Sequence, residues 1–208
     1  MSLEDYILSN IDEEPSLLAT LDRKAHIDLL RPRMISGHLQ GRILKMLVRI
    51  QQPQRILEIG TYTGYATLCL AEGLPEGGEI HTVEIDDEME DFIRKQFDQS
   101  ALKDKIHLHI GDALEVIPKL EVQFDLVFID ADKRDYCDYY DLVFDKVKKG
   151  GIILVDNTLW NGKVLEEPPP NDKQTIGIKR FNEMITKDKR IEKVILPLRD
   201  GLTIIYKK

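Results

Sequence analysis

Hydrophobic residues fall into short runs from Arg55 onward, and amphipathic segments of helical spacing separate most of these runs. The runs predict strands at 55–59, 80–85, 106–110, 124–129, 152–155, 191–196 and 201–206. The amphipathic segments predict helices at 65–71, 87–99, 113–120, 134–147 and 172–187. Because strands and helices alternate, the pattern predicts a doubly wound α/β fold with helices on both faces of a parallel sheet.

The end of the chain departs from this alternation. The last two predicted strands are joined only by residues 197–200, so they must pair in an antiparallel manner. The predicted fold class is therefore α/β with a mostly parallel seven-stranded sheet and an antiparallel C-terminal hairpin, which is not the usual dinucleotide-binding arrangement. Residues 157–172 form a long loop that we interpret as a functional lid, with disorder as the alternative. Gly150 and Gly151 are expected to separate a helix from the fifth strand.

The first 50 residues are predicted to form a helical extension of a single domain that covers residues 1–208. Helices are expected at 3–8 and 15–30, and Ser36 is expected to cap a third helix that continues to Ile50. Between Arg23 and Arg49 the chain has seven Lys or Arg residues and one acidic residue, Asp28. This basic segment is either a solvated helix face or a patch for an anionic substrate.

Composition narrows the classes of function. The net charge of −8 argues against bulk binding to nucleic acid or to an anionic membrane, and no apolar run is long enough to span a bilayer. Cys69 and Cys137 lie far apart in sequence, which favours reduced thiols and a cytoplasmic protein. The five histidines show no metal-binding spacing, so a zinc site is not expected.

A glycine-containing turn follows the first predicted strand. Its pattern is Glu58-x-Gly60-x-x-x-Gly64, which differs from the Gly-x-Gly-x-x-Gly of dinucleotide-binding proteins. A turn of this kind leaves backbone N–H groups at the start of a helix, where the polar end of a ligand can approach. The alternative is that the glycines serve only the geometry of the turn.

Four predicted strands end in acidic residues, Glu58, Glu84, Asp130 and Asp156. In parallel sheets ligands bind outside the carboxyl ends of the strands, so the chemistry is expected there. Glu84 lies 24 residues after Gly60, a position similar to that of the acid that binds ribose in nucleotide-binding folds, which follows the glycines by about 20 residues. The alternative for Glu84 is an ordinary surface acid.

A second group of polar residues follows the fourth and fifth strands. Asp130, Asp156 and Asn157 should lie together if these strands are adjacent, and two close carboxylates repel each other unless a cation lies between them. Oxygen ligands alone indicate a hard ion, Mg²⁺ first, with Ca²⁺ and Mn²⁺ as the other ions that they suit. Lys133 near such an ion is expected to have a lowered pKa and to act as a general base.

These motifs together resemble those of the cation-dependent O-methyltransferases that use S-adenosylmethionine, the caffeoyl-coenzyme A and catechol O-methyltransferase family. The resemblance extends from Arg33 to Tyr206 and is closest to the caffeoyl-coenzyme A branch and its bacterial relatives. It rests on four blocks, at residues 58–65, 128–133, 156–157 and 200–202. It implies methyl transfer to a hydroxyl of a vicinal dihydroxy-aromatic molecule, by a protein that forms homodimers.

The resemblance also implies which residues contact S-adenosylmethionine. At the methionine end they are Glu58, Gly60 and Tyr62, with Met34 and Ser36 covering the cofactor. Ala66 stands where the family usually has a serine that touches the cofactor carboxylate, and it lacks that hydroxyl. Glu84 is implied to hold the ribose, and Asp112 and Ala113 the adenine.

The remaining implied roles concern the metal and the acceptor. Asp130, Asp156 and Asn157 are the implied metal ligands, Asp130 also lies near the cofactor amine, and Lys133 is the implied catalytic base. Thr203 stands where the catechol branch has a glutamate that contacts substrate, so that contact is not carried over. Trp160 in the predicted lid is a candidate substrate contact. Three tyrosines are either an aromatic wall for the substrate ring or helix-packing residues, namely Tyr136, Tyr139 and Tyr140.

Three alternatives to this function remain open from the sequence. An NAD-linked oxidoreductase would leave Asp130, Lys133 and Asp156 without a role. A non-catalytic nucleotide-binding protein would keep the fold without the reaction. A hydroxylated nucleoside in RNA would use the same metal chemistry, and the basic segment would suit it.

Overall fold

The computed structural model describes the whole chain, Met1–Lys208. Its helices are α1 Leu3–Leu8, α2 Ser16–Asp28, α3 Gly37–Gln51, α4 Tyr65–Gly73, α5 Glu90–Asp98, α6 Ala113–Val116, α7 Tyr136–Phe144 and α8 Lys173–Lys187. Its strands are β1 Arg55–Ile59, β2 Glu79–Glu84, β3 Ile106–Ile110, β4 Phe124–Ile129, β5 Val147–Val155, β6 Ile191–Leu196 and β7 Leu202–Lys207. Short 3₁₀ segments include Pro32–Met34, Lys133–Asp135 and Trp160–Leu165.

The strands form one seven-stranded sheet in the order β3-β2-β1-β4-β5-β7-β6. The pairs β2–β3, β1–β4 and β4–β5 are parallel. The pairs β5–β7 and β6–β7 are antiparallel, as expected for two strands joined by a short loop. The predicted α/β fold class with a C-terminal antiparallel hairpin is therefore confirmed.

The chain divides into two compact units. The first consists of residues 1–54 and 61–110, and the second of residues 55–60 and 111–208. The prediction of a single domain stays a prediction.

The first unit has an apolar core to which the N-terminal helices contribute. Leu18, Leu21 and Ala25 of α2 are buried, since their spacing places them on one face of the helix. They belong to a cluster with residues of α4 and α5, among them Leu68 and Phe97. The hydroxyl of Tyr65, at the start of α4, donates a hydrogen bond to the carboxylate of Glu14. The helical extension is thus packed and hydrogen-bonded within its unit.

The core of the second unit is built on β4 and β5. Residues 126–129 of β4 and 152–155 of β5 are all buried, as the unbroken apolar runs predict for central parallel strands. On α7, Tyr136 and Tyr140 pack edge-on against Phe181 of α8, with ring centroids 5.7 and 6.0 Å apart. This packing holds α7 and α8 together.

One local prediction is wrong, and another is confirmed only in part. The strand β5 begins at Val147, so Gly150 and Gly151 lie inside it and do not end the preceding helix. Gly151 is needed there because a Cβ atom would lie 2.8 Å from the carbonyl oxygen of Asp125 on β4. Ser36 occupies the N-cap position of α3, but its side chain makes no capping hydrogen bond.

None of the helices is long and apolar enough to cross a membrane.

Candidate functional site

The turn after β1 requires both of its glycines. Gly60 and Gly64 have φ values of 97° and 82°, a region that side chains with a Cβ rarely enter. Space is also lacking, because a Cβ at Gly60 would overlap the carbonyl oxygen of Asp130 and one at Gly64 would overlap the ring of Phe97. The turn therefore follows from local sterics, whatever ligand it binds.

Glu84 is buried and holds the turn. Its Oε2 atom accepts a hydrogen bond of 2.6 Å from the backbone N–H of Tyr62, and its Oε1 atom accepts one of 3.0 Å from that of Asp86. The hydroxyls of Thr61 and Thr82 lie 2.5 Å apart next to this contact. Only 8% of Glu84 is exposed, so the alternative of an ordinary surface acid is wrong.

Tyr62 connects the turn with the segment that carries Met34. Its hydroxyl donates a hydrogen bond of 2.9 Å to the carbonyl oxygen of Arg31, directly before the 3₁₀ segment Pro32–Met34. Met34 is about half exposed, whereas Ser36 and Ala66 are buried. Tyr62 itself has a positive φ of 50°, a strained conformation of the kind that is often found at ligand sites.

In the second unit the carboxyl ends of three paired strands bring acidic residues together. Ile59, Ile129 and Val155 are aligned across β1, β4 and β5. The backbone N–H of Asp130 donates to the carbonyl oxygen of Ile59, and that of Asp156 donates to the carbonyl oxygen of Ile129. Asp130 and Asp156 are therefore neighbours at this edge, as predicted from the sequence.

The residues around Asp156 hold it in a fixed position. Asp156 is 2% exposed, its Oδ1 atom accepts a hydrogen bond of 2.8 Å from the backbone N–H of Asn157, and its carbonyl oxygen accepts one of 3.0 Å from the hydroxyl of Tyr136. Asn157 has a φ of 58°, in the left-handed region that asparagine tolerates. The side chains of Asp130, Asp156 and Asn157 offer oxygen donors, the type that a hard divalent cation binds.

Lys133 is buried beside this acidic pair. Its Nζ atom lies 2.8 Å from Oδ1 of Asp130 and 5.3 Å from the centre of the Tyr136 ring. Burial is the largest single effect and lowers the pKa of Lys133, but the charge and hydrogen bond of Asp130, together with the contact to Tyr136, outweigh it, so the pKa lies above its ordinary value. The predicted lowering of this pKa assumed a neighbouring cation and stays a prediction, whereas the protein groups alone raise the pKa.

Asp112 begins α6, and its carboxylate accepts a hydrogen bond of 2.9 Å from the backbone N–H of Leu114. Ala113 is buried next to it. Asp112 is therefore a helix N-cap, a role that the sequence analysis did not assign.

Trp160 lies in the loop that follows β5. The backbone N–H groups of Leu159 and Trp160 donate to the carbonyl oxygen of Asp200 at 2.7 and 3.2 Å, and that of Thr158 donates to Gly201 at 3.1 Å. The start of the predicted lid is thus anchored to the β6–β7 loop. The indole Nε1 atom of Trp160 is shielded from solvent and has no hydrogen-bond partner within the chain, so it can donate to a ligand.

Two sequence alternatives are decided by packing. Tyr136, Tyr139 and Tyr140 are buried, so the interpretation as helix-packing residues is confirmed.

In the basic segment, Arg42 and Lys45 form ion pairs with Glu72 at 2.8 and 2.5 Å, and only 8% of Arg42 is exposed. These two charges are compensated inside the first unit and do not contribute to a patch for an anionic substrate.

Gly177 is a residue of this region that the sequence analysis missed. A Cβ at this position of α8 would overlap the carbonyl oxygen of Lys133 and would lie 2.9 Å from Cα of Arg134. A glycine inside a helix costs about 1 kcal/mol relative to alanine, which is the signal that could have drawn attention to it.

Comparison with known proteins decides the family. The sequence model described as O-methyltransferase matches residues 9–208. The chain belongs to the O-methyltransferase family. It is therefore an S-adenosylmethionine-dependent O-methyltransferase, which confirms the predicted class of enzyme and leaves an NAD-linked oxidoreductase and a non-catalytic binding protein without support.

Individual relatives agree with this family. The chain is 31% identical to a catechol O-methyltransferase of Niastella koreensis, over 95% of this chain and 90% of that protein. It is 34% identical to caffeoyl-CoA O-methyltransferase 1 of Arabidopsis thaliana, over 79% of this chain and 68% of that protein. The crystal structure of the O-methyltransferase TomG from Streptomyces achromogenes, in complex with SAM, superposes with a TM-score of 0.90 at 28% identity and covers 99% of this chain and 96% of that one.

Proposed function

We propose that this O-methyltransferase transfers a methyl group from S-adenosylmethionine to one hydroxyl of a vicinal dihydroxy-aromatic small molecule, and that the reaction depends on a divalent cation. The observation that carries the proposal is the group at the ends of β4 and β5. Asp130 and Asp156 are adjacent, Asn157 follows, and the amine of Lys133 lies 2.8 Å from Asp130. The names of the catechol and caffeoyl-CoA relatives support an acceptor of this class.

The cofactor roles proposed for single residues follow the sequence resemblance. Glu84 is buried with both oxygens engaged by backbone N–H groups, which fixes its carboxylate as an acceptor for ribose hydroxyls. Glu58 is fully buried at the end of β1, where a carboxylate suits the cofactor amine. The remaining proposed contacts are Gly60, Tyr62, Met34, Ser36, Ala66, Asp112, Ala113 and Asp130.

Asp130, Asp156 and Asn157 are the proposed metal ligands. Their oxygen donors suit Mg²⁺, and also Ca²⁺ or Mn²⁺. Such a cation would supply positive charge that lowers the pKa of an acceptor hydroxyl and holds two neighbouring hydroxyls. The backbone N–H of Asn157 donates to the carboxylate of Asp156, and the hydroxyl of Tyr136 donates to its carbonyl oxygen, so Asp156 is held in place for this role.

Lys133 is the proposed base. When the proposed cation engages the charge of Asp130, burial favours the neutral amine of Lys133. In that neutral form, the Nζ atom can take the proton of the acceptor hydroxyl. Trp160 is the proposed substrate contact, through its ring and its available Nε1–H group. Holding the acceptor oxygen in line with the methyl group would supply much of the acceleration, on the order of 7–11 kcal/mol in favourable cases.

Thr203 argues against a contact of the catechol type at its position. It is fully buried, and its hydroxyl donates a hydrogen bond of 2.7 Å to that of Thr158. The substrate contact that the catechol branch makes with a glutamate at this position is therefore not part of the proposal. A homodimer in the cytoplasm is also part of the proposal, and light scattering of the purified protein tests its oligomeric state.

The experiment measures methyl transfer from labelled S-adenosylmethionine to caffeate, its coenzyme A ester, catechol and RNA. Each acceptor is tested with Mg²⁺ and with EDTA. Lys133→Ala is compared with Lys148→Ala, because Lys148 forms an ion pair of 2.6 Å with Asp125 away from the proposed metal ligands. We expect EDTA and Lys133→Ala to abolish transfer to a dihydroxy-aromatic acceptor and Lys148→Ala to leave it unchanged.

Two results would contradict the proposal. Transfer that continues in EDTA would exclude the metal role of Asp130 and Asp156. Transfer to RNA that falls steeply as salt rises, with no transfer to phenols, would make RNA the acceptor.

A further inference from the structure

Three histidines and a glutamate share one face of the paired strands β2 and β3. His81 is aligned with His107, and Val83 is aligned with His109. Side chains alternate between the two faces of a strand, so Glu79 and His81 lie on one face of β2, and His107 and His109 lie on the same face of β3. All four residues belong to the first unit.

The polar atoms of these side chains converge. Oε2 of Glu79 lies 3.3 Å from Nε2 of His107, and Oε1 of Glu79 lies 3.8 Å from Nε2 of His81. One ligand atom from each of Glu79, His81 and His107 lies within 4.8 Å of the others. Tetrahedral zinc with bonds of about 2 Å holds its ligand atoms about 3.3 Å apart, so small side-chain rotations close this group around one ion.

We propose that Glu79, His81 and His107 form a binding site for a transition metal ion of the zinc class. Imidazole nitrogens favour Zn²⁺, Co²⁺ or Ni²⁺ over the hard ions that suit an all-oxygen site. Two histidines and one carboxylate are a known ligand set for zinc, and they leave a fourth position for water. The site shares no residue with the proposed oxygen-donor site at Asp130 and Asp156.

His109 orients one of the ligands. Its Nε2 atom lies 3.0 Å from Nδ1 of His81. When Nδ1 of His81 carries the hydrogen and donates it to His109, the lone pair of His81 is on Nε2, the atom nearest to Glu79. A ligating histidine is commonly fixed in this way by a partner of its second nitrogen.

The sequence analysis did not expect a zinc site, because the histidines show no recognisable spacing along the chain. The residues lie on separate strands, and only the register of β2 with β3 brings them together. A metal ion bound across this pair would attach β3, the edge strand of the sheet, to its neighbour. Because the ligands converge only in the folded chain, binding should raise the thermal unfolding temperature.

The test uses protein without a histidine tag, stripped with a chelator and kept in excess Mg²⁺ so that oxygen-donor sites are filled. Zn²⁺ is titrated by calorimetry, and Co²⁺ by its visible absorption, whose intensity distinguishes a tetrahedral protein site from hydrated octahedral Co²⁺. We expect one Zn²⁺ per chain, no saturable binding in His107→Gln, and affinity weakened about 10- to 100-fold in His109→Gln.

His26→Gln is the matched control, because His26 is an exposed histidine of α2 that lies 3.6 Å from Asp22. It should bind Zn²⁺ like the parent protein. The exposed position of His107 makes His107→Gln compatible with folding, which circular dichroism checks. The proposal is overturned if the parent protein shows no saturable binding, or if saturable binding survives in His107→Gln; loss of that binding in Asp156→Asn would then assign it to the oxygen-donor residues.

Discussion

Gly177 of α8 lies directly against the backbone of Lys133. A Cβ atom at position 177 would overlap the carbonyl oxygen of Lys133 and lie 2.9 Å from Cα of Arg134. Both partner atoms belong to the backbone, so they cannot move aside by a rotation of a side chain. Helix α8 therefore fixes the position of the segment that presents the Lys133 amine to Asp130.

We predict that Gly177→Ala lowers kcat strongly while the protein stays folded. The added methyl group pushes α8 away from the Lys133 segment, and a displacement of about 1 Å can cost on the order of 100-fold in rate. The measurement is kcat and KM with caffeoyl-type acceptors, together with the thermal unfolding midpoint. Ile176→Ala, at a partly exposed neighbouring position, should leave kcat unchanged. A normal kcat in Gly177→Ala would show that this contact does not position Lys133.

The second prediction concerns the turn after β1. Gly60→Ala should lower the free energy of unfolding more than Gly77→Ala, although both glycines have a positive φ, of 97° and 74°. At Gly77 nothing lies near the added Cβ, so only backbone strain of about 1–3 kcal/mol is expected. At Gly60 the overlap with Asp130 adds an overpacking cost of about 1–3 kcal/mol. Urea unfolding of both variants measures the difference, and equal losses would mean that the turn relaxes.

Much of the fold could be predicted from the sequence because its signals are local. The apolar run of β4 predicts a buried central strand, and the short connection between β6 and β7 requires antiparallel pairing. The adjacency of Asp130 and Asp156 follows from the same reasoning, since both residues end neighbouring parallel strands. These inferences need only the period of the pattern and the geometry of a sheet.

The features that the sequence could not predict depend on contacts between distant residues. The role of Gly177 is set by a segment more than 40 residues earlier in the chain. The raised pKa of Lys133 depends on how closely Asp130 approaches its buried amine. Glu79 and His107 meet only through the strand register. The local hydrophobic pattern carries no information about such contacts. A local signal can also mislead, since the pair Gly150 and Gly151 predicts a break in the chain but lies inside β5.

Glu84→Gln provides the third prediction. The carboxylate of Glu84 accepts hydrogen bonds from the backbone N–H groups of Tyr62 and Asp86, and an amide would place a donor against one of them. We expect the free energy of unfolding to fall by about 1–3 kcal/mol and the affinity for S-adenosylmethionine to fall with it. Chemical unfolding and calorimetry measure the two effects, and Glu115→Gln, an exposed acid of α6, serves as the control. Unchanged cofactor affinity would remove Glu84 from the proposed binding residues.

The fourth prediction tests the indole of Trp160. Trp160→Phe keeps an aromatic ring but removes the Nε1–H group, which has no partner within the chain. If this group donates to the acceptor molecule, KM for the acceptor should rise about fivefold, with kcat and cofactor affinity nearly unchanged, because a hydrogen bond is worth about 1 kcal/mol. Steady-state kinetics with varied acceptor measures this. An unchanged KM would assign Trp160 to the packing of the loop alone.

The last prediction concerns stability in acid. The carboxylate of Asp188, at the end of α8, accepts hydrogen bonds from the guanidinium and backbone N–H of Arg190 and from the hydroxyl of Tyr140, and these lower its pKa below the ordinary value of about 3.9. A lowered folded-state pKa contributes stability that is present above the unfolded-state value and is lost as the pH falls through the folded-state value.

The free energy of unfolding should therefore decrease as the pH falls below about 4, and part of this decrease should be absent in Asp188→Asn. Tyr140→Phe should retain a smaller decrease than the parent protein, because one of the hydrogen bonds to the carboxylate is removed and the pKa shift is reduced. Urea unfolding between pH 7 and pH 3 measures the slope for each variant, with Asp138→Asn, an exposed acid of α7, as the control. If Asp188→Asn keeps the slope of the parent protein, the acid sensitivity arises from other carboxylates, and the contact of Asp188 with Arg190 contributes no pH-dependent stability.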